Sequence, residues 1–476
     1  MARLVAVTSG LKMVTSTLPV SFSVRRREPE LIEPAKSTPR ELKPLSDIDD
    51  QEGLREHIPG IIIYRNVKTP SSEGIILRDP ARVVREALAA ALVFYYPIAG
   101  RVVEGPDRKL MVDCTSEGVL FIEADADVAL DDLGDAIMPP CPNLEELLYN
   151  VPRSDGIIGC PLLLVQVTRL KCGGFIFGFR FNHTICDGLG FSQFLNAIGE
   201  IARGARAPSL LPVWHREILN ARNPPRITCT HYEYEEVHGQ KNVLIDWASN
   251  VSMVHASFFF GPNEIRALKK SLPPRLSSHT STYEVLAACL WRCRTIALEL
   301  HPSEKVRFSS MVSVCGKGLI DVPTGYYGNA FVYPAVVSTT QLLCENPLEF
   351  AVELVKKVKT QVSEEYVRSV VDLMVMKGRP MYTMESMYMI SDTRFLGLEE
   401  VDLGWGKPIY SGPAKAVSTT SFCVGFKNSK GEKGIVVSIC LPLEVMNRFQ
   451  EELKKMTQES SHDVPQFCWK KASSRL

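Results

Sequence analysis

Phenylalanine recurs at every second position from Phe175 to Phe181. Successive side chains of a β-strand point to opposite faces, so this period predicts a strand over 173–182 with one strongly apolar face. Asp-Gly at 187–188 then opens a helical pattern whose large apolar residues share one face as far as Ile201. A strand that leads into an amphipathic helix predicts mixed layers of sheet and helix, which is an α/β fold.

Similar patterns recur along the chain. Apolar residues at helical spacing predict helices over 82–94 and 282–298, and one or two helices over 348–375. An apolar run predicts a buried strand over 434–441. Proline and glycine break every period from 204 to 226, which favours a crossover between domains. The predicted division is an extension over 1–21 that we expect to be disordered, an N-terminal domain over 22–203, a crossover linker over 204–232 and a C-terminal domain over 233–476.

Charge and cysteine usage exclude several classes of function. Lys+Arg and Asp+Glu both total 54, so no basic excess is available to hold a nucleic-acid backbone. No apolar run reaches membrane-spanning length. Thirteen cysteines are scattered without a disulfide framework. Cys289 and Cys293 are the one pair at helical spacing, and without further ligands they are interpreted as buried thiols rather than a metal site. We therefore expect a reducing compartment, no metal, no nucleic acid and no membrane.

His183 continues the phase of the four phenylalanines at the far end of the predicted strand. A neutral imidazole in a strand-to-helix loop can take a proton from an alcohol, so His183 is a candidate general base. Two alternatives stay open at this point: a satisfied core histidine, and a thiol nucleophile at Cys186. The chain has no G-x-S-x-G elbow, Walker loop or dinucleotide-binding glycine motif.

Two motifs together resemble those of the plant BAHD acyl-CoA-dependent acyltransferases. Residues 183–188, His-Thr-Ile-Cys-Asp-Gly, resemble the family's His-x-x-x-Asp-Gly motif. Residues 402–406, Asp-Leu-Gly-Trp-Gly, resemble its Asp-Phe-Gly-Trp-Gly motif, with Leu403 in place of phenylalanine. The likeness extends from about Phe22 over nearly the whole chain. Further stretches that carry it, some of them typical of alcohol acyltransferases and benzyl alcohol benzoyltransferases, are 45–50, 96–101, 108–113, 280–284 and 325–329.

The resemblance implies two chloramphenicol-acetyltransferase-like α/β domains of mixed sheet flanked by helices, with an active-site channel between them. It implies that His183 deprotonates an alcohol, which attacks the thioester of an acyl-CoA directly. The acyl-CoA is then a co-substrate, no cofactor is bound, and the partners are small molecules that meet a monomer. Benzoyl transfer to benzyl alcohol or a similar small alcohol is the leading expectation. The alternatives are an acetyl-CoA-dependent ester synthase, tigloyl or benzoyl transfer to an alkaloid hydroxyl, and a non-catalytic acyl-CoA-binding relative.

The family also supplies roles for other residues of both motifs. Asp187 and Gly188 are expected to be structural, with Asp187 paired to an arginine whose place here is taken by Cys315. Either Lys317 or another base then substitutes for the arginine, or the loop is weakened. Asp402 joins His183 in the predicted catalytic set, as an organiser of the channel wall or, alternatively, as a proton-handling group. The other expected site residues are the structural Gly404, Trp405 and Gly406 and the candidate acyl-CoA contacts Thr280, Ser281, Ser418 and Thr419.

The two ends of the sequence bear on its subcellular localisation. Residues 1–27 contain no acidic residue, which fits a transit peptide. The preferred interpretation is an unstructured extension, or an extended start with Met13 as the usual first residue. Residues 474–476, Ser-Arg-Leu, differ from the peroxisomal Ser-Lys-Leu by one basic exchange. The sequence predicts the peroxisome, or else the cytosol.

Overall fold

Two seven-stranded sheets carry most of the regular structure. The computed structural model describes residues 13–14, 22–66, 78–236, 253–315 and 319–458. The strands are β1 Met13–Val14, β2 Val24–Arg26, β3 Glu30–Ile32, β4 Leu42–Pro44, β5 His57–Tyr64, β6 Arg101–Glu104, β7 Leu110–Asp113, β8 Val119–Ala126, β9 Leu163–Arg169, β10 Phe175–Asn182, β11 Met253–Phe260, β12 Lys305–Ser310, β13 Val312–Ser313, β14 Phe331–Val332, β15 Ala335–Thr339, β16 Met387–Asp392, β17 Tyr410–Pro413, β18 Thr420–Lys427 and β19 Lys433–Pro442. The α-helices are α1 Pro80–Ala91, α2 Leu130–Leu133, α3 Leu144–Leu147, α4 Gly188–Ala202, α5 Pro262–Lys270, α6 Pro274–Ser277, α7 Thr282–Leu298, α8 Thr340–Glu345, α9 Leu348–Thr360, α10 Glu364–Met376 and α11 Leu443–Thr457.

The N-terminal sheet runs in the order β17-β5-β10-β9-β8-β2, and β3 also pairs with β8. Strand β10 lies between β5 and β9 and is antiparallel to both. Its four phenylalanines are buried against helices α1 and α4. Phe181 stacks on Phe191 of α4 with ring centroids 4.3 Å apart. The apolar face predicted from the sequence therefore fixes the helix that follows His183.

The C-terminal sheet runs in the order β1-β11-β19-β18-β16-β12-β15. One face is covered by α7, α9 and α11, with Phe258 against Phe449 and Trp291 against Phe308. Strand β1, Met13–Val14, falls within the extension predicted over 1–21, yet it pairs with β11.

A third apolar cluster joins the two sheets. Ile61 and Ile176 of the N-terminal sheet share it with Phe259 and Val436 of the C-terminal sheet. Strand β17 lies in the C-terminal half of the sequence but pairs with β5, so Tyr410 stands opposite Ile63 in the N-terminal sheet. A strand from the C-terminal half thus pairs within the N-terminal sheet and connects the two halves. The architecture is still the mixed α/β fold that the sequence predicts.

The segment predicted as a crossover lies along α10. Asp372 accepts hydrogen bonds from the backbone N–H and the guanidinium of Arg222, at 2.7 and 2.6 Å. Ser369 accepts from the N–H of Thr228 at 2.9 Å, and its hydroxyl lies 2.8 Å from Nε2 of His231. Side chains of α10 thereby accept hydrogen bonds from backbone N–H groups of a segment that has no periodic secondary structure.

The predicted elements are largely confirmed. The strand over 173–182 and the helix over 282–298 correspond to β10 and α7. The segment 348–375 forms two helices, because Ser363 caps the second by accepting from the N–H of Tyr366. Within the described residues, no helix is long and apolar enough to cross a membrane. The same residues contain no group of three or more His, Cys, Asp or Glu placed to hold a metal.

Candidate active site

His183 directly follows the last residue of β10. Its N–H donates to the carbonyl oxygen of Glu56 at 2.9 Å, and its own carbonyl accepts from the Asn329 side-chain amide at 2.8 Å. The imidazole lies between aromatic rings, with centroids 5.7 Å from Phe181 and 5.9 Å from Phe331. The side chain remains partly exposed, so solvent or a substrate can reach it.

The environment of His183 favours the neutral imidazole. Burial lowers its pKa below the ordinary value, while backbone groups of His183 and Cys186 and the Asn329 side chain oppose this. Nδ1 is buried and has no hydrogen-bond partner among the described residues. A neutral imidazole at physiological pH is the form that can accept a proton.

Asp187 caps helix α4, as the structural prediction requires. Its carboxylate accepts from the N–H of Gly190 at 2.9 Å and from the N–H of Ala330 at 3.1 Å. No arginine or lysine among the described residues forms an ion pair with it, and burial raises its pKa to about 6. Among the described residues, backbone N–H groups hold this buried carboxylate. The candidate substitute Lys317 lies outside the described residues.

A buried network around Asp49 fixes the backbone of the His183 loop. Nη1 of Arg216 lies 3.0 Å from both carboxylate oxygens of Asp49, and neither side chain is more than 2% exposed. Nη2 of Arg216 donates to the carbonyl of Ile185 at 2.8 Å. Asn329 donates its N–H and its amide to Asp49, both at 2.9 Å, and the same amide reaches the His183 carbonyl.

The close approach of Arg216 also accounts for a glycine. A Cβ added at Gly328 would lie 1.9 Å from Nη1 of Arg216, which leaves no room for any other side chain. The guanidinium is further enclosed by the rings of Trp214, Tyr326 and Tyr327, at 4.3 to 5.3 Å. Arg216 is therefore an integral structural residue of the site, although it lies in the predicted linker.

The second motif forms a turn far from His183. The Asp402 carboxylate accepts from the N–H groups of Gly404 and Gly406 at 2.7 and 2.8 Å, and both glycines have positive φ, 101° and 80°. Trp405 packs edge-to-face on Phe175, centroids 5.0 Å apart.

Phe175 begins β10, whereas His183 follows its end, and eight residues of strand span about 25 Å. The structure therefore does not bring Asp402 and His183 together. The contacts of Asp402 are those of a residue that stabilises a turn. Arg203 contacts both its carbonyl oxygen and its carboxylate.

The four candidate acyl-CoA contacts have local partners. Ser281 caps helix α7 by accepting from the N–H of Glu284 at 3.2 Å, and Thr280 donates to the Leu276 carbonyl at 2.7 Å. The carbonyl of Ser418 accepts from Arg294 at 3.3 Å, and the Thr419 side chain bonds to the hydroxyl of Tyr382.

A cationic pocket of about 690 Å³ opens beside the first of these pairs. It is lined by Ser277, Thr282 and five basic side chains, and none of its lining residues is acidic. Leu396, two residues after the lining residue Arg394, lies against Gly188 at the start of α4. The chain segment 394–396 therefore leads from the pocket lining to the start of α4. The basic residues of the pocket are Arg266, Lys269, Lys270, Arg394 and Lys433.

Cys186 is poorly suited to nucleophilic catalysis. It is buried, and burial raises the pKa of its thiol well above the ordinary value. The geometry thus favours the imidazole over the thiol as the reactive group.

The sequence patterns did not point to the supporting residues. Asp49 and Asn329 lie in stretches that carry the family likeness, but nothing in those stretches indicated a role. Arg216 lies in an aperiodic segment, and its partner Asp49 is 167 positions away in sequence.

Comparisons with known proteins show the family and the fold of the chain. The model of the Transferase family matches residues 22–456. The chain is 57% identical to benzyl alcohol O-benzoyltransferase of Petunia hybrida over 440 residues, 91% of this chain and 94% of that protein. It is 58% identical to alcohol acyltransferase 16 of Actinidia chinensis var. chinensis, over 96% of this chain and 98% of that protein. The crystal structure of vinorine synthase superposes with a TM-score of 0.70 at 20% identity, covering 91% of this chain and 98% of that one.

Proposed function

The chain belongs to the transferase family that includes the plant BAHD acyltransferases, and on this premise we propose that it transfers a benzoyl group from benzoyl-CoA to benzyl alcohol or a similar small alcohol. It is an acyl-CoA-dependent alcohol O-acyltransferase. Two relatives named benzyl alcohol O-benzoyltransferase, at 57% and 56% identity, support the benzoyl group and the benzyl alcohol acceptor.

The observation that carries the mechanism is a partly exposed, neutral imidazole on a rigid loop. Nε2 of His183 takes the proton of the alcohol as its oxygen attacks the thioester carbonyl. The tetrahedral intermediate then collapses, the C–S bond breaks, and the imidazolium returns the proton to the CoA thiolate. The alcohol loses one proton, the thiolate gains it, and no covalent acyl-enzyme forms.

The cationic pocket is the proposed place for the phosphates of CoA. Lysine and arginine side chains recognise phosphate oxygens through charge-assisted hydrogen bonds. The proposed path of the thioester from this pocket to His183 is based on the segment 394–396, because Arg394 lines the pocket and Leu396 lies against Gly188 at the start of α4. Ser281, which caps α7, and Thr280 directly precede the lining residue Thr282 and are proposed to contact the CoA there, whereas Thr419 bonds to Tyr382 outside the pocket lining.

Transfer of an acetyl group is the second candidate within the same class. The relatives of Malus domestica at 54% to 55% identity are named alcohol acyl transferase without a benzoyl group, which supports an acyl donor other than benzoyl-CoA as a candidate. The non-catalytic reading loses its main support, because the carboxylate of Asp187 is satisfied by backbone N–H groups although Cys315 replaces the expected arginine.

An ester-formation assay tests the proposal. The purified chain is incubated with benzoyl-CoA or acetyl-CoA and benzyl alcohol, and the ester is measured by mass spectrometry. Benzyl benzoate should form faster than benzyl acetate, and His183→Ala should lower kcat by roughly 10²–10⁴-fold. The control His301→Ala, at an exposed histidine, should retain full activity. Near-normal turnover by His183→Ala would contradict the assignment of the base.

Two further parts of the proposal are the subcellular localisation and the oligomeric state. We propose delivery to the peroxisome through residues 474–476, with the cytosol as the alternative; these residues lie outside the described ranges. We further propose that the enzyme acts as a monomer, because the pocket and the histidine loop are both supplied by one chain.

A further inference from the structure

Phe395 is an aromatic residue that the fold leaves in contact with solvent. It is 77% exposed, the largest value among the large apolar residues of the described ranges. It ends the short 3₁₀ turn Thr393–Phe395, which follows strand β16. Single exposed apolar side chains are common on protein surfaces, so the groups around Phe395 decide whether its ring has a role.

The neighbouring Arg394 connects this ring with the cationic pocket. Arg394 lines the pocket, and its guanidinium carbon lies 5.3 Å from the centroid of the Phe395 ring. Nε and Nη2 of Arg394 donate to the two carboxylate oxygens of Asp392, both at 2.7 Å, and this two-point contact fixes the plane of the guanidinium. The ring of Phe395 therefore lies at the rim of the pocket, against a lining group of fixed position.

The charges along the pocket lining are not equally compensated. The carboxylate of Asp392 compensates the charge of Arg394. Arg266, which also lines the pocket, donates instead to the side-chain oxygen of Asn263 at 2.8 Å, and that amide carries no charge. Phosphate groups are therefore attracted more strongly to the Arg266 side, whereas the Arg394 side suits a neutral part of the ligand.

The surface next to Arg394 is open. Gly425 of β18 is exposed, and a Cβ built on it would meet, among the described residues, only the Cγ of Arg394, at 3.9 Å. Gly425 stands opposite Ile435 of β19, which lines the pocket. The lack of a side chain at Gly425 thus leaves room for a flat group beside Arg394, at the same rim as the ring of Phe395.

We propose that the ring of Phe395 stacks on the adenine of the acyl-CoA donor at the rim of the cationic pocket. The inference rests on the proposed function and names the residue that recognises the base of the donor. Aromatic side chains bind nucleobases through their π-faces. Adenine is planar and uncharged at neutral pH, so it suits the side of the pocket where Asp392 compensates the charge of Arg394.

One donor molecule then satisfies both sides of the lining. Its phosphates lie toward Arg266, and its base lies toward Arg394 and Phe395. Phe395 contributes to binding of the donor and takes no part in the transfer of the acyl group.

Two donors that differ only in the nucleotide test the inference. Benzoyl-CoA and S-benzoylpantetheine carry the same thioester and pantetheine arm, but the second lacks the adenine nucleotide. With benzyl alcohol as the acceptor, Phe395→Ala should raise KM for benzoyl-CoA by about tenfold, while kcat at saturating donor and kcat/KM for S-benzoylpantetheine change by less than about twofold. Phe395→Tyr, which keeps the ring, should retain the KM of the wild type. Gly425→Val fills the open surface and should raise KM for benzoyl-CoA, whereas the control Leu211→Ala, at another exposed apolar residue, should not.

Binding of the nucleotide alone is measured by fluorescence. Phe395→Trp places an indole at the proposed stacking position, and adenosine 3′,5′-bisphosphate should quench the added fluorescence, whereas pantetheine should not. An unchanged KM for benzoyl-CoA in Phe395→Ala, or equal losses with both donors, would overturn the inference, while formation of benzyl benzoate by the wild type would still support the proposed function. Absence of ester with every donor would count against the proposed function itself.

Discussion

Replacing Asp49 by asparagine tests whether the buried network positions the His183 loop. The substitution keeps the shape of the side chain and removes its charge. Both oxygens of Asp49 accept from Arg216, one also accepts from Asn329, and the other accepts from the N–H and hydroxyl of Ser46 at 3.0 and 2.7 Å. In either orientation, the NH₂ group of the new asparagine side chain faces hydrogen-bond donors instead of acceptors. Arg216 is left as a buried cation without a compensating charge.

The magnitude follows from the burial of this pair. Breaking a fully buried ion pair by removing one partner costs about 3–5 kcal/mol, whereas an exposed pair contributes about 0–1 kcal/mol. The matched control is Asp113→Asn, which loses the partly exposed pair with Arg40 at 2.9 Å. We expect the free energy of unfolding to fall by about 3–5 kcal/mol for Asp49→Asn and by less than about 1 kcal/mol for Asp113→Asn.

Urea unfolding followed by circular dichroism measures both variants, and kcat is measured on the folded protein. Asp49→Asn should also lower kcat, because the carbonyls of His183 and Ile185 lose their fixed donors. The double variant Asp49→Asn, Arg216→Gln should be less destabilised than the sum of the single changes, since it removes the stranded charge. Equal unfolding free energies for the Asp49 variant and the Asp113 control would refute the reasoning.

Four further outcomes are expected. Cys186→Ala should retain most of its activity, and detection of an acyl-thioester on the protein by intact mass would contradict direct transfer. The acid limb of kcat/KM for the wild type should have its midpoint below 6.5, because burial lowers the pKa of His183 and the base is active only when deprotonated; a midpoint above that value in a pH titration would oppose it. Cys315→Arg should be neutral or stabilising in a thermal melt, because it adds a cation near the unpaired Asp187, and strong destabilisation would exclude that placement. A fluorescent protein fused before residue 1 should give puncta that disappear when residues 474–476 are deleted, and diffuse fluorescence of the undeleted fusion would remove the peroxisomal proposal.

Local periodicity accounts for the part of the fold that could be predicted. The alternation from Phe175 to Phe181 encodes both the strand and the face that packs on α4, because a strand has only two faces and one of them must be apolar. Its continuation to His183 placed the candidate base at the strand end. These signals lie within a few residues of one another, so a single sequence suffices to detect them.

The supporting network could not be predicted in this way. Arg216, Asp49 and Asn329 are far apart in sequence, and each contact depends on how the two sheets and the intervening segment pack. For Asp402 the motif could be recognised in the sequence, but its place in the fold could not. Its motif was detected, yet only the pairing of β10 and the contact of Trp405 with Phe175 reveal that it lies at the other end of the strand.

Two buried carboxylates lie near the His183 loop, and neither forms a hydrogen bond with the imidazole. Asp49 binds Arg216 and Asn329, and Asp187 binds backbone N–H groups. In a Ser-His-Asp triad the carboxylate on Nδ1 stabilises the imidazolium. A similar contact here would raise the pKa of His183, and more of the enzyme would hold a protonated, inactive base at neutral pH. Direct transfer requires the imidazolium only until the CoA thiolate takes the proton. A base that is fixed through its backbone, with no carboxylate on its imidazole among the described residues, is therefore suited to direct transfer of the acyl group from the thioester to the alcohol.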